Sequence, residues 1–261
     1  MKKVILITGA SSGIGLTTAE FLSSKGYVVY GTARKPFENK NFKTIVADVN
    51  NHIEMENVFE TVLKEEGQID VVINNAGIGI SGAIEYTKKQ DIENIFNTNA
   101  IAVVDICSIA IKYLRKTKGK IINIGSVAGV VPLPFQACYS ATKSAVENFS
   151  QALRNEVKDF GIKVTCIRPG DTKTGFTAAR VKSEEKADDY NKRIQKSVSK
   201  MEKDEQNGMS ALCVSKVIYK CIKKKNPALV KTVGCSYKFL CLLVKILPTR
   251  LVNFIIKKLY G

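Results

Sequence analysis

Short apolar runs and longer amphipathic stretches alternate along the chain. Seven runs read as strands: Lys3–Ile7, Tyr27–Thr32, Thr44–Ala47, Ile69–Ile73, Lys120–Ile124, Ile162–Ile167 and Ala228–Val233. Helical stretches fall between them, one ending near Ser24, then Asn51–Glu66, Lys88–Arg115 and Ala211–Lys223. A further helix shows Val146, Phe149, Leu153 and Val157 at spacings of 3, 4 and 4. Neither repeat nor low-complexity linker breaks the alternation. It predicts one doubly wound α/β domain of Rossmann type, a seven-stranded parallel sheet with helices on both faces. A length of 261 residues suits one such domain.

Two stretches stand outside this alternation. Tyr190, Ile194, Val198 and Met201 form an apolar stripe at helical spacing in a charged segment. Residues 175–209 are therefore expected to be a lid over the cleft, an ordinary surface helix being the other reading. Past a main domain of residues 1–235, an extension (236–261) reads as two short amphipathic helices, Tyr237–Leu247 and Thr249–Tyr260, parted by Pro248. In the second, Leu251, Val252, Phe254, Ile255, Ile256 and Leu259 are apolar, and Arg250, Asn253 and Lys257 mark the polar side. The longest uncharged run, Phe239–Val244, is far below the ~20 residues that a bilayer span needs.

Charge sharpens the picture of the tail. The chain carries a net charge of +16, yet residues 206–261 hold eleven Lys and Arg and no Asp or Glu. Peripheral association of this tail with an anionic membrane is one expectation; capping of the pocket, or a buried interface between copies, is the other. No nucleic-acid partner is expected. The seven cysteines are odd in number, include no Cys-x-x-Cys, and lie mostly in apolar stretches, so they are read as reduced core residues of a cytoplasmic protein. His52 is the single histidine and sits at a helix start, which argues against a Ser-His-Asp triad and against a metal site. Four apolar residues follow Met1-Lys2-Lys3 before Thr8-Gly9, too few for a secretory signal.

Candidate chemistry clusters at strand ends. The first strand runs into Thr8-Gly9-Ala10-Ser11-Ser12-Gly13-Ile14-Gly15 and then a helix. Gly9 permits a tight turn, Gly13 lets the backbone approach a pyrophosphate at the helix N-terminus, and Gly15 lets helix and strand pack closely. The second strand ends in Ala33-Arg34-Lys35, where an NAD site usually places an acid. Arg34, helped by Lys35 or Ser11, suits the 2′-phosphate of NADP(H). Asp48 and Val49 end the third strand, where the adenine edge lies. Asn74-Asn75-Ala76-Gly77 ends the fourth, and Asn99 places a polar side chain in mid-helix, where it asks for a reason.

Tyr139 and Lys143 stand one helical turn apart, with Ser126 at the end of the fifth strand. An ammonium ~4 Å from a phenol at an effective dielectric of ~20 contributes roughly 4 kcal/mol. That is enough to bring the Tyr139 phenol near neutrality, where proton transfer is efficient.

With Thr8-Gly9-x-x-x-Gly13-x-Gly15, Asn74-Asn75-Ala76-Gly77, Asn99, Ser126, Tyr139-x-x-x-Lys143 and Pro169-Gly170-x-x-x-Thr174 in this order, the chain resembles a classical short-chain dehydrogenase/reductase from about residue 3 to 235. The resemblance implies that Tyr139 exchanges the proton with the substrate oxygen and that Ser126 donates to the same oxygen. It implies that Lys143 lowers the Tyr139 pKa and holds the nicotinamide ribose, and that Asn99 holds a water linking Lys143 to solvent. Gly9, Ser11, Ser12, Gly13, Ile14, Gly15, Arg34, Asp48, Val49 and the turn Asn75, Ala76, Gly77 are expected to bind the cofactor. So are Pro169, Gly170, Thr172 and Thr174, with Thr174 at the carboxamide.

The tail is similar to that of family members acting on lipophilic alcohols and ketones. An NADPH-dependent reductase of a lipophilic ketone or aldehyde follows, with a hydroxysteroid-like substrate as the expectation and homo-oligomers left open. Pro132, Leu133, Pro134 and Phe135 are expected to wall its pocket. The alternatives are a dinucleotide-binding sensor or scaffold without turnover, which has no use for a proton relay, and a reductase of small ketones or acyl lipids.

Overall fold

The computed structural model describes residues 2–183 and 189–261. Among them β1 (Val4–Thr8), β2 (Val28–Ala33), β3 (Lys43–Val46), β4 (Val71–Asn74), β5 (Lys120–Ile124), β6 (Lys163–Arg168) and β7 (Val230–Thr232) form a parallel sheet. Their order is β7-β6-β5-β4-β1-β2-β3. The helices are α1 (Gly13–Ser24), α2 (His52–Glu66), α3 (Lys89–Phe96), α4 (Ala102–Thr117), α5 (Ala137–Glu156), α6 (Arg193–Gln206), α7 (Ala211–Lys223), α8 (Cys235–Ile246) and α9 (Thr249–Tyr260). This is the doubly wound α/β fold that the alternation predicts.

β1 shows why both faces are covered. Val4 and Leu6 point into one core with residues of α2, α4 and α5, whereas Ile5 and Ile7 point into another with residues of α1 and α7. Each fully buried aliphatic side chain contributes about 1.5–3 kcal/mol, so a sheet apolar on both sides is stable only between two helical layers. Strand order reverses at β1, which pairs with β2 on one side and β4 on the other. The crevice past the carboxyl ends of these strands is where such folds bind ligands.

The stretch expected as one helix from Lys88 to Arg115 is instead α3, a π turn over Asn97–Ile101, and α4. The reason is Asn99, whose fully buried amide is bonded at both ends to the backbone of Ile78. The widened turn takes up the extra residue that this alignment requires. The whole run Lys89–Thr117 is apolar enough by composition to cross a bilayer, but Val103, Ile106, Ile109 and Leu114 are buried in the core.

Smaller expectations meet the structure as follows. Cys107, Cys138, Cys166, Cys221 and Cys241 are buried, while Cys213 and Cys235 are exposed because they fall on the outward sides of amphipathic α7 and α8. His52 is exposed at the start of α2, beside the Asp105 carboxylate at 2.8 Å. In α6, Ile194, Val198 and Met201 are buried with Ala83, against Leu133, Phe135 and Tyr260. Residues 184–188 of the expected lid lie outside the described residues. Helices α8 and α9 fold back, so that Cys241, Val252 and Ile256 share a buried cluster with Val127 and Val131 next to Ser126.

Candidate active site

The turn after β1 is shaped by its glycines. Gly9 has φ 67°, and a Cβ there would stand 2.8 Å from the Cα of Ala76; at Gly15 it would stand 2.1 Å from the carbonyl oxygen of Gly9. Asn75 braces the turn, its Nδ2 donating to the carbonyls of Thr8 at 2.9 Å and Gly9 at 3.0 Å. Asn74, by contrast, is a buried brace that donates to Asn123 Oδ1 at 2.9 Å. Ser12 precedes α1 in extended conformation and makes no side-chain cap. The first N–H groups of α1 therefore have no cap from Ser12, and the helix dipole adds partial positive charge.

A cleft of about 490 Å³ opens here, lined on this side by Gly9, Ser11, Ser12, Gly13, Ile14, Arg34, Val49, Asn75, Ala76 and Gly77. Thr32 lines it too, and its Oγ1 is buried without a hydrogen-bond partner. A glycine turn with no room for a Cβ at Gly9 or Gly15, helix N–H groups without a side-chain cap, an unpaired hydroxyl and an exposed guanidinium together fit a phosphorylated dinucleotide. Gly15 lies beneath this surface, packing helix against strand. Asp48 stands between the lining residues Ala47 and Val49, and its Oδ1 accepts from the Asn50 N–H at 2.9 Å. Lys35 is exposed and is not part of the cleft lining, whereas Ser11 and Arg34 both line it.

Across the cleft, β5 delivers Gly125-Ser126 and α5 delivers Tyr139 and Lys143, all lining the same space. Ser126 is extended and accepts from the Ala128 N–H at 3.1 Å, opening a short 3-10 turn. Lys143 is buried and donates from Nζ to the Ile124 carbonyl at 3.0 Å. Asn99 and Lys143 converge on Gly77, where a Cβ would stand 3.2 Å from Asn99 Oδ1 and 3.7 Å from Lys143 Nζ. The Asn99 amide is committed to Ile78, at 2.8 and 2.9 Å, rather than turned to solvent.

The electrostatics differ from the sequence expectation. Lys143 Nζ is 5.8 Å from the centre of the Tyr139 ring, and burial is the largest influence on the phenol. Burial pushes Tyr139 up to about 12, with a hydrogen bond from Ser126 working the other way. Burial also pushes Lys143 down to about 8. The phenol is thus a loaded proton donor at neutral pH, not a half-ionised one.

The outer wall comes from the chain's second half. Pro169, Gly170, Thr172 and Thr174 line the cleft, and Pro169 accepts from the Val127 N–H at 3.0 Å, tying β6 to the Ser126 turn. Thr174 reaches across to Gly13, where a Cβ would stand 3.4 Å from its own. Behind this wall Arg168 forms a buried double hydrogen bond with Glu147, one turn beyond Lys143 on α5.

Of the four residues expected to wall the pocket, Leu133 lines it. Phe135 has φ 60° and packs against the Tyr190 ring at 5.7 Å. Phe176, Glu205, Tyr237, Leu240 and Tyr260 also line the cleft; they belong to the expected lid and to the tail, whose expected roles include capping, but sequence reasoning named none of them for the pocket. For the tail, the signal available was a tyrosine in each of two amphipathic helices, since a half-buried phenol needs a partner for its tip. Tyr237 donates to Asp171 at 2.7 Å and Tyr260 to Asp204 at 2.9 Å.

Comparison with known proteins agrees with this geometry. The family model described as short chain dehydrogenase matches residues 3–185. A 3-ketodihydrosphingosine reductase of Bacteroides thetaiotaomicron is 44% identical over 236 residues, 89% of this chain and 88% of the relative. Among solved structures, a short-chain dehydrogenase from Streptomyces avermitilis is similar at 28% identity and a TM-score of 0.82, covering 93% of this chain and 92% of that one. ElxO with NADP bound is similar at 28% identity and a TM-score of 0.75, covering 92% and 100%. Sequence, sheet order and the meeting of Ser126, Tyr139 and Lys143 lead to one conclusion: the chain belongs to the short-chain dehydrogenase/reductase family and is an oxidoreductase of carbonyl and alcohol groups.

Proposed function

We propose that this protein is a cytoplasmic NADPH-dependent reductase of a long-chain lipid ketone, of the type of 3-ketodihydrosphingosine. The observation that carries the reading is the apolar wall of Val131, Leu133, Phe176 and Leu240 in the same cleft as Tyr139. A linear lipid chain suits such a wall, and the relative at 44% identity is a 3-ketodihydrosphingosine reductase. This reading takes the place of the hydroxysteroid expected from the tail. Arg34, exposed at the end of β2 and lining the cleft, supports NADPH through its 2′-phosphate, and a relative at 28% identity holds NADP. Five buried cysteines among seven free ones suit the reducing cytoplasm.

In this reading the bound nicotinamide supplies the hydride. Tyr139, kept protonated by burial, gives its proton to the carbonyl oxygen, and Ser126 donates a hydrogen bond to the same atom. Lys143, cationic below pH ~8, positions the cofactor ribose and returns a proton toward Tyr139. Asn99 holds Ile78 beside this pair through the π turn. Apolar walls exclude water and strengthen each of these contacts.

The test is NADPH consumption with 3-ketodihydrosphingosine, a 3-ketosteroid, a 3-oxoacyl thioester and a short water-soluble ketone. The long-chain amino ketone is expected to give a kcat/KM at least about tenfold above the others. Faster turnover of the steroid, or none of the long-chain ketone, overturns the reading.

A further inference from the structure

Helices α8 and α9 turn the wrong side to water. A surface helix ordinarily buries its apolar stripe and exposes its charges. Here Cys241 in α8 and Val252 and Ile256 in α9 are buried inward, with Tyr237, Val244 and Tyr260 partly buried beside them. The larger apolar side chains face out. Phe239, Leu242 and Ile246 are 62%, 52% and 69% exposed on α8, at spacings that put them on one face. On α9, Leu251, Phe254 and Leu259 are 44%, 64% and 53% exposed. A patch of this kind marks an interaction surface.

Its charge says what lies opposite. Lys238, Lys245, Arg250, Lys257 and Lys258 are exposed on the same two helices, and no Asp or Glu occurs from residue 206 to 261. Exposed aromatic and aliphatic side chains set among lysines, without one acid, complement a surface that is apolar below and anionic above. A second copy of the chain would bring the same positive charges against these.

We infer that the outer face of α8 and α9 docks on an anionic phospholipid bilayer and that the substrate enters the cleft from the lipid across Leu240. Leu240 belongs to both surfaces: it lines the cleft and is 38% exposed on α8. Tyr237 and Tyr260, at the two ends of the helix pair, line the same cleft. Docked helices lie in the interface plane with apolar side chains in the acyl boundary and lysines among the headgroups. The helices that meet the membrane are thus also the wall of the pocket. The docking stands by itself; the entry route rests on the lipid-ketone reading above.

The experiment uses the full chain and vesicles of phosphatidylcholine alone or with an equal part of phosphatidylglycerol. Sedimentation without substrate is expected to take the protein down with the anionic vesicles at low salt, and to release it at high salt. Phe239→Ser with Phe254→Ser, and separately Lys257→Glu with Lys258→Glu, should each weaken this binding at least about tenfold. Both double variants keep their NADPH-dependent turnover of a short water-soluble ketone, and both lose at least about tenfold on long-chain ketone carried in anionic vesicles.

Full-chain protein left in the supernatant with anionic vesicles overturns the proposal, as does equal binding to neutral ones. A dimer that the Phe239→Ser and Phe254→Ser changes dissociate, without vesicle binding, assigns the face to a second copy and overturns it as well. Vesicle binding is read without any substrate, so a protein that binds anionic vesicles yet ignores the long-chain ketone sinks the substrate reading and leaves the docking standing.

Discussion

Lys143 stands one turn beyond Tyr139 on α5, with its ammonium 5.8 Å from the centre of the phenol ring and anchored on the Ile124 carbonyl. Both groups pay for burial in opposite directions, the phenol held in its protonated form and the ammonium pressed toward its neutral one. A proton donor that stays loaded and a neighbour that titrates near pH 8 make an arrangement suited to reduction.

Stability should carry the mark of Lys143. Its pKa falls from 10.5 to about 8 on folding, so between these values the unfolded chain binds more protons and stability rises with pH. The penalty is fully present below pH ~8. Lys143→Met removes up to about 3 kcal/mol of it and loses about 1 kcal/mol with the bond to Ile124. The variant is therefore expected to melt above wild type at pH 7, with the gap closing by pH 10. Parallel melting curves across this range refute the assignment.

Tyr139→Phe removes the proton donor and little else. Cofactor affinity, read by NADPH fluorescence, should stay within about threefold, and turnover should fall roughly 10²–10⁴-fold. More than about a tenth of the wild-type rate takes Tyr139 out of the proton-donating role.

Arg34→Asp places an acid where a ribose 2′-hydroxyl would sit. The ratio of kcat/KM for NADPH to that for NADH is expected to exceed ten in the unmodified protein and to fall by at least about tenfold in the variant. Equal use of both cofactors by the unmodified protein rules out Arg34 as the selector.

Glu147 and Arg168 are both buried, and their double hydrogen bond joins the catalytic helix to the end of β6. Glu147→Gln leaves a buried guanidinium without its counter-charge and is expected to cost about 3–5 kcal/mol in denaturant unfolding. Glu147→Leu combined with Arg168→Met should recover most of that loss. A single substitution that proves neutral shows that the pair is open to water.

What the sequence discloses depends on how local the cause is. The strands are legible because each is a compact apolar run, and the Gly9 turn is legible because its spacing is set within a few residues. The π turn at Asn97–Ile101 is not, because its cause is a contact with Ile78, 21 positions earlier. The Tyr139 pKa is not legible either, since the Tyr-x-x-x-Lys spacing gives the approach of two groups but not the depth at which they lie. In α9 apolar residues at 251, 252, 254, 255, 256 and 259 spread over about half of the helix, a face too wide to say which part is buried, and the fold alone decided that Val252 and Ile256 turn inward.

The wall made by α8 and α9 is fastened by a small buried cluster, against the two extended cores that hold the sheet. Local opening free energies follow local burial, so this pair should detach well before the sheet unfolds. In amide hydrogen exchange, α8 and α9 are then the segment that exchanges early, while β1, β4 and β5 exchange last. The glycine cradle stays whole during such an excursion, with Tyr139 laid open to water. A protein built this way admits substrate and releases product past its far wall while the dinucleotide stays seated, and only the exchange of oxidised for reduced cofactor requires the cradle itself to let go.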